Sequence, residues 1–320
     1  MNTESIRWVE QRFRVEAECH GWRLDHFLCK KIKRLSRARI QRVILGDCTV
    51  DTVPGRPNLR VRTGQVVWFR WPAPDEPEVP REISVVHQDP WFYLIDKPAG
   101  LPVHPTARYH HATLTSVLRE RFPGESLQMA HRLDRETSGL MLIARSFEAG
   151  SAFKQLFAKR KIRKRYLAIV HGTVPWDEHT VDLPIGPAQG QVRIRMDIVP
   201  SDCGGLPATT QFHVVARAVQ HTLLECLPLT GRQHQIRVHA SQLGHSLLGD
   251  KLYPDEGVFL RWLDDPDGTL LEFPRHALHA AGLHFVHPWS REPLDFSIPL
   301  APDMTTHWQH LVDADNENSG

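Results

Sequence analysis

The spacing of hydrophobic positions changes several times along the chain, and each change marks an element. Leu24, Phe27, Leu28 and Ile32 recur at helical spacing. A second helix is predicted from Ser36, an N-cap residue, through Ile40, Val43 and Ile44 to a stop at Gly46. A short strand at 49–50, a turn at Pro54-Gly55 and the apolar run 66–69 complete a small α/β unit, residues 12–71. The stretch that follows (PAPDEPEVP) is acidic and too rich in proline for a helix or a central strand, so residues 72–81 read as a linker.

From 82 to 302 strands and helices alternate irregularly. Strands are predicted at 91–95, 140–144, 166–170 and 222–227, and helices at 146–157 and 234–243, the last ended by Gly244. This mixture implies an α+β domain around a mixed, largely antiparallel sheet. Residues 255–272 read as an acidic insert loop, and residues 303–320 as a disordered acidic tail with no core to join.

At 320 residues the chain is long enough for two domains. No run reaches the roughly 18 apolar residues that a membrane span needs. The N-terminus lacks the order of a signal peptide, and the five cysteines are odd in number, scattered and without metal-ligand spacing. A cytoplasmic protein follows as the expectation. The net charge of +2 hides a segregation: residues 30–42 and 154–165 each hold seven Lys or Arg and no acid. Two such blocks make local positive fields suited to a polyanion.

Three polar clusters adjoin apolar elements, where catalytic groups are commonly held. The first, HRLDRETSG at 131–139, packs five ionisable side chains into nine residues before the buried strand. By itself it could be a surface turn of mutually paired charges. The second is Lys164-Arg165-Tyr166 and the third is TGRQHQIR at 230–237. Asp, Tyr and Arg together can orient a carboxylate, move protons and stack on a base.

HRLDRETSG, KRY, LTGRQHQIRVH and LGDKLYP, in this order, resemble the RluA family of RNA pseudouridine synthases. DKPAGLPVHP at 96–105 and LHAAGLHFVHP at 278–288 support the match. The first unit (RLDHFL at 23–28, SRARIQRVI at 36–44, Gly64-Gln65-Val66) is similar to an RNA-binding module shared with a small-subunit ribosomal protein. One departure stands out: the family often carries GKPA where this chain has Gly205-Leu206-Pro207-Ala208, which puts a backbone contact to RNA in doubt.

The resemblance implies the pseudouridine synthase fold and an isomerase of uridines already within structured RNA. Ribosomal RNA of the large subunit is the first expectation and transfer RNA the alternative. It also implies a monomer without cofactor or metal. Asp134 falls on the catalytic aspartate, Tyr166 on the base or stacking tyrosine and Arg237 on the arginine that pairs with the aspartate. Arg132 falls where a side chain takes the place of a flipped base, while His131 is expected to shape the loop by hydrogen bonding. Arg232 is read as a phosphate or structural contact. Lys164, Arg165, Arg37, Arg39 and Arg42 are expected to meet RNA. Two other readings compete. A non-catalytic ribosome-associated protein would have no use for the full Asp134, Tyr166 and Arg237 set. A metal-dependent hydrolase, suggested by the twenty histidines, lacks an HExxH or similar pattern.

Overall fold

The computed structural model describes residues 8–32, 36–72, 76–106, 109–190, 192, 194–264 and 271–318, so Lys33 and Arg34 of the first basic block and Asp265 and Asp267 of the acidic insert lie outside the described residues. The chain divides into two compact units, Met1–Asp75 and Glu76–Gly320, a division inside the proline-rich stretch. In the first unit β1 (Trp8–Arg14), α1 (Leu24–Lys31), α2 (Arg37–Asp47), β2 (Cys48–Val50), β3 (Val53–Pro54) and β4 (Val66–Pro72) form a sheet of order β1-β4-β2-β3 under two helices. Leu24, Phe27, Leu28 and Ile32 are buried with Ile40 and Ile44 in one core, as their spacing predicts. Ser36 accepts a hydrogen bond from Arg39 N, which caps α2. The fully buried Asp25 carboxylate of α1 takes Arg23 (3.1 Å) and, from α2, Arg37 (3.0 Å) and Gln41 (2.8 Å).

The second unit contains β5 (Ser84–Gln88), β6 (Phe92–Lys97), α3 (Leu114–Arg121), β7 (Gln128–Met129), β8 (Ser138–Ala144), α4 (Phe147–Ala158) and β9 (Arg163–His171). It continues through β10 (Glu178–Asp182), β11 (Ile185–Pro187), β12 (Met196–Ile198), β13 (Thr209–Arg217), β14 (His221–Pro228), α5 (Gln235–Gln242) and α6 (Glu256–Asp264). It ends in β15 (Leu278–Val286), β16 (Pro293–Ser297) and α7 (Pro302–Asn318). The main sheet has the order β10-β13-β14-β9-β15-β8-β6-β5, with β16 on β15 and β7 on β8. Only β8 and β15 pair in parallel among the described strands, so the sheet is mixed and largely antiparallel as expected.

The unbroken apolar run of β8 has a simple cause: the strand is buried on both faces. Met141 and Ile143 join Tyr93, Ile95, Leu101 and Leu114 on one side, whereas Leu140, Leu142 and Ala144 join Phe92, Leu94, Phe153 and Phe285 on the other. The polar loop before it is therefore anchored in the middle of the core.

Two expectations need correction. Residues 303–318 are not a tail: α7 places Met304, Trp308 and Leu311 against Ile169, Leu223, Leu248, Phe273 and Ala277. Asp303 pairs with the buried Arg275 at 2.7 Å. Positions 301, 304, 308 and 311 form a helical stripe that the acidic composition concealed. The insert at 255–272 is also not wholly loop, because α6 packs Phe259 against the Ile185, Val238 and Tyr253 cluster.

Candidate active site

The HRLDRETSG loop is held in place from several sides. His131 Nε2 accepts the Leu142 N–H at 2.9 Å and the ring stacks on Phe157, 4.5 Å between centroids. The imidazole thus extends the β7–β8 ladder past Met129. Desolvation, with Lys164 adding to it, pushes the His131 pKa down to about 3, so the ring stays neutral and can accept. Buried Lys97 donates to the carbonyls of Pro98, Leu101 and Arg135 at 2.8, 3.0 and 3.2 Å. Glu136 takes Lys251 at 2.6 Å, Thr137 bonds His276 at 2.8 Å and Ser138 bonds His279 at 2.8 Å.

Gly139 closes the loop. Its φ is +110°, and a Cβ there would lie 2.3 Å from the carbonyl oxygen of Ala280, the residue it faces in the parallel pairing. Both the dihedral and the close approach require glycine.

The loop delivers Asp134 to a cavity of about 520 Å³ that is also lined by His131, Arg132, Lys164, Tyr166, Arg232 and Arg237. Arg237 Nη1 donates to Asp134 Oδ2 at 3.2 Å. The rest of the guanidinium is held from behind: Nε and Nη2 donate to the two oxygens of Asp250 at 2.6 and 2.9 Å, and Tyr253 lies under it at 4.9 Å. Burial works against the Arg237 charge, but Asp250 and then Asp134 more than offset it and raise its pKa. Burial likewise opposes the Asp250 carboxylate. The charge and hydrogen bonds of Arg237, with the Leu252 N–H, win and hold its pKa below the usual carboxylate range.

His234 begins α5 in a left-handed conformation, φ 55°, with Nδ1 2.6 Å from the Tyr253 hydroxyl and Nε2 3.8 Å from Asp134 Oδ2. The hydroxyl also accepts the Met196 N–H. Burial, and then Arg237, lower the His234 pKa to about 4. Tyr166 lies in β9 between Cys226 and Ala280 and takes part in two hydrophobic clusters. Burial, then the Asp134 charge, push its phenol pKa upward.

Other predicted positions fare differently. Arg132 is exposed on the cavity rim with no described ion-pair partner. Lys164 donates to Thr230 O at 2.5 Å, and burial followed by Arg160 lowers its pKa to about 8. Arg232 Nε donates to Pro207 O at 3.0 Å, which ties the TGR turn to the segment that departs from GKPA. There Leu206 points outward, about half exposed, and keeps its backbone bonds to Ile185. Arg165 does not line the cavity; it pairs with Glu225 at 2.7 Å. Arg37, Arg39 and Arg42 lie in the first unit, all exposed, with Arg37 engaged by Asp25. Sequence reasoning assigned no role to Asp250, Tyr253, His234 or Lys97, although LGDKLYP, RQHQIR and DKPAG contained the signal.

A carboxylate bonded to a buried arginine thus shares one cavity with a tyrosine, on a mixed and largely antiparallel sheet. Residues 92–242 match the family described as RNA pseudouridylate synthase. The fold is similar to that of human RNA pseudouridylate synthase domain containing 1 (TM-score 0.58, 27% identity, 76% of this chain and 98% of that one). Ribosomal large subunit pseudouridine synthase D of Zymomonas mobilis subsp. mobilis is 33% identical, covering 98% of each chain. The protein of the same description from Xanthomonas campestris pv. campestris is 35% identical over 93% of this chain and 90% of its own. An uncharacterized RNA pseudouridine synthase of Chloroflexus aurantiacus is 36% identical over 91% and 90%. The chain belongs to the RluA family of RNA pseudouridine synthases and is an isomerase acting on RNA.

Proposed function

We propose that this enzyme isomerises specific uridines of large-subunit ribosomal RNA, with Asp134 opening the glycosidic bond of a uridine flipped into the cavity. The observation that carries the reading is the bond from Arg237 to Asp134, backed by Asp250, in a cavity that also presents Tyr166. The bond between the ribose C1′ and N1 of uracil breaks, the base turns, and C1′ bonds to C5. The C5 hydrogen leaves as a proton and N1 gains one, so no electrons are exchanged.

Asp134 starts the sequence either by attacking C1′ or by taking the 2′ proton to give a glycal. Arg237 orients the carboxylate for both routes. Because burial and Asp134 raise the Tyr166 pKa, its phenolate is costly at neutral pH, which favours a stacking role for the ring over proton removal. Arg132, exposed and lining the cavity without a described ion-pair partner, would occupy the gap a flipped base leaves. Flipping costs a few kcal/mol and least for an unpaired base, so loop uridines are the preferred targets. Lys164 on the cavity wall, with Arg39 and Arg42 in the first unit, would neutralise phosphates. The names of the curated relatives favour ribosomal over transfer RNA.

The test is chemical mapping of pseudouridine in unmodified large-subunit and transfer RNA incubated with wild type and with Asp134→Asn. The expected result is formation at discrete large-subunit sites by the wild type and a loss of about 10³-fold or more in the variant. A fully active variant would overturn the role of Asp134. Modification of transfer RNA alone would reassign the substrate, and an inactive wild type would favour the RNA-binding reading.

A further inference from the structure

Away from the cavity, the first residue of β14 and the last of β9 bring a second set of reactive side chains together. His221 opposes His171 across the antiparallel pair, with ring centroids 5.4 Å apart. Glu272, from the segment that follows α6 and precedes β15, places Oε1 3.2 Å from His221 Nε2. One ligand atom from each of the three residues lies within 4.8 Å of the other two. None of the three lines the cavity that holds Asp134.

We propose that His171, His221 and Glu272 bind one divalent transition-metal ion, zinc by preference, which fastens β9, β14 and the Glu272 segment to one another. Zinc bound at roughly 2.0–2.1 Å by imidazole and carboxylate in a tetrahedron sets its ligands roughly 3.3 Å apart. The His221–Glu272 separation has that value without an ion, and a His171 nitrogen lies within 4.8 Å of both ligand atoms. Two imidazoles and a carboxylate also make a borderline N/O donor set that suits zinc better than magnesium or calcium.

A second observation is independent of the spacing. His221 Nε2 is buried and finds no hydrogen-bond partner, despite its nearness to Glu272. The His171 imidazole likewise makes no hydrogen bond among the described residues, and its one ring contact is His221. Buried polar nitrogens are normally satisfied, and an unpartnered buried imidazole nitrogen, set between a carboxylate and a half-buried second imidazole, is what a metal would satisfy. A His221–Glu272 ion pair alone would leave His171 idle and set a second imidazole against the charge. His307 on α7 offers a further buried Nε2 without a partner, and its ring packs on Phe273, the neighbour of Glu272, at 5.1 Å. A water can complete the coordination, with His307 beside the site.

The other metal-like cluster among the described residues, Glu16, Glu18 and Cys19, is already occupied by charge. Lys31 and Lys30 hold its carboxylates at 2.6 Å each.

The test uses the full-length protein, stripped with a chelator and dialysed. Zinc is added in a calorimeter, and cobalt is added while visible absorption is followed. One ion per chain is expected, with a tetrahedral cobalt spectrum and a rise in Tm at saturating zinc. Glu272→Gln and His221→Gln should each weaken zinc binding tenfold or more and lower the cobalt absorbance. Acidification should release the ion, because only neutral histidine is a ligand. If His221→Gln fails to fold, the half-exposed Glu272 carries the test. Absence of stoichiometric binding by the wild type would overturn the proposal, as would unchanged affinity in Glu272→Gln. Loss of binding in Cys19→Ser would locate the ion in the other cluster and overturn it equally.

Discussion

Arg237 sits between two carboxylates of unlike character, one facing the cavity and one wholly enclosed. Removing one partner of a buried pair leaves an uncompensated charge and costs about 3–5 kcal/mol. Asp250→Asn should therefore lose stability of that order in urea unfolding, and it should lower kcat because Arg237 no longer holds Asp134 in one place. The pH dependence carries a sign. The Asp250 pKa is depressed in the folded state, so its contribution is complete above the unfolded value of about 3.9 and vanishes as pH falls through the folded one. The acid limb of stability should be shallower in Asp250→Asn than in wild type. At this scale the sequence motifs led to Asp134, Tyr166 and Arg237, and the structure brings all three to one cavity. Asp250 stood in a motif but carried no mark of burial, which only its surroundings confer. Arg165 shows what adjacency in sequence leaves open. It adjoins Lys164 and Tyr166, yet successive residues of a strand face opposite sides, so its neighbours line the cavity while it turns to Glu225.

Among the elements, the loop at 131–139 owes its shape to what lies on either side of it. Gly139→Ala would drive a methyl group into the Ala280 carbonyl at a positive φ. We expect a loss of about 2 kcal/mol or more, seen as a lower Tm or as insoluble protein, with no rescue by serine. Helix α7 makes a different point. Met304 is fully buried against strand residues, so Met304→Ala should cost about 2–5 kcal/mol in urea unfolding. Below its unfolding transition that variant should keep its kcat within about twofold, because α7 supports the sheet and not the cavity lining. The periodicity of α7 was legible in positions 301, 304, 308 and 311. Composition outweighed it because an acidic segment looks unable to bury itself, whereas α7 needs to bury only one stripe.

On the scale of the molecule, the two basic blocks account for more than the small net charge suggests. Each phosphate neutralised on single-stranded RNA contributes about −0.7 to the log–log slope of affinity against salt. The double variant Arg39→Gln and Arg42→Gln should flatten that slope by about 1.4 if each residue meets one phosphate. Fluorescence titration of a large-subunit RNA fragment over a salt series would measure it, and an unchanged slope would remove α2 from the RNA surface. Arg37 is left out of this test because it also holds the buried Asp25. Local pattern was enough to show an α/β unit ahead of an α+β catalytic domain, the proline-rich break between them, and the loops where chemistry would sit, because periodicity, turn residues and motif order are properties of neighbouring positions. Tertiary structure alone decided that Asp250 backs Arg237, that Lys97 and Lys251 brace the Asp134 loop, that α7 belongs to the core, and that His171 meets His221 and Glu272. Those facts depend on which distant segments come into contact and how fully each group is shut off from water, and neither is written in any single stretch of the chain.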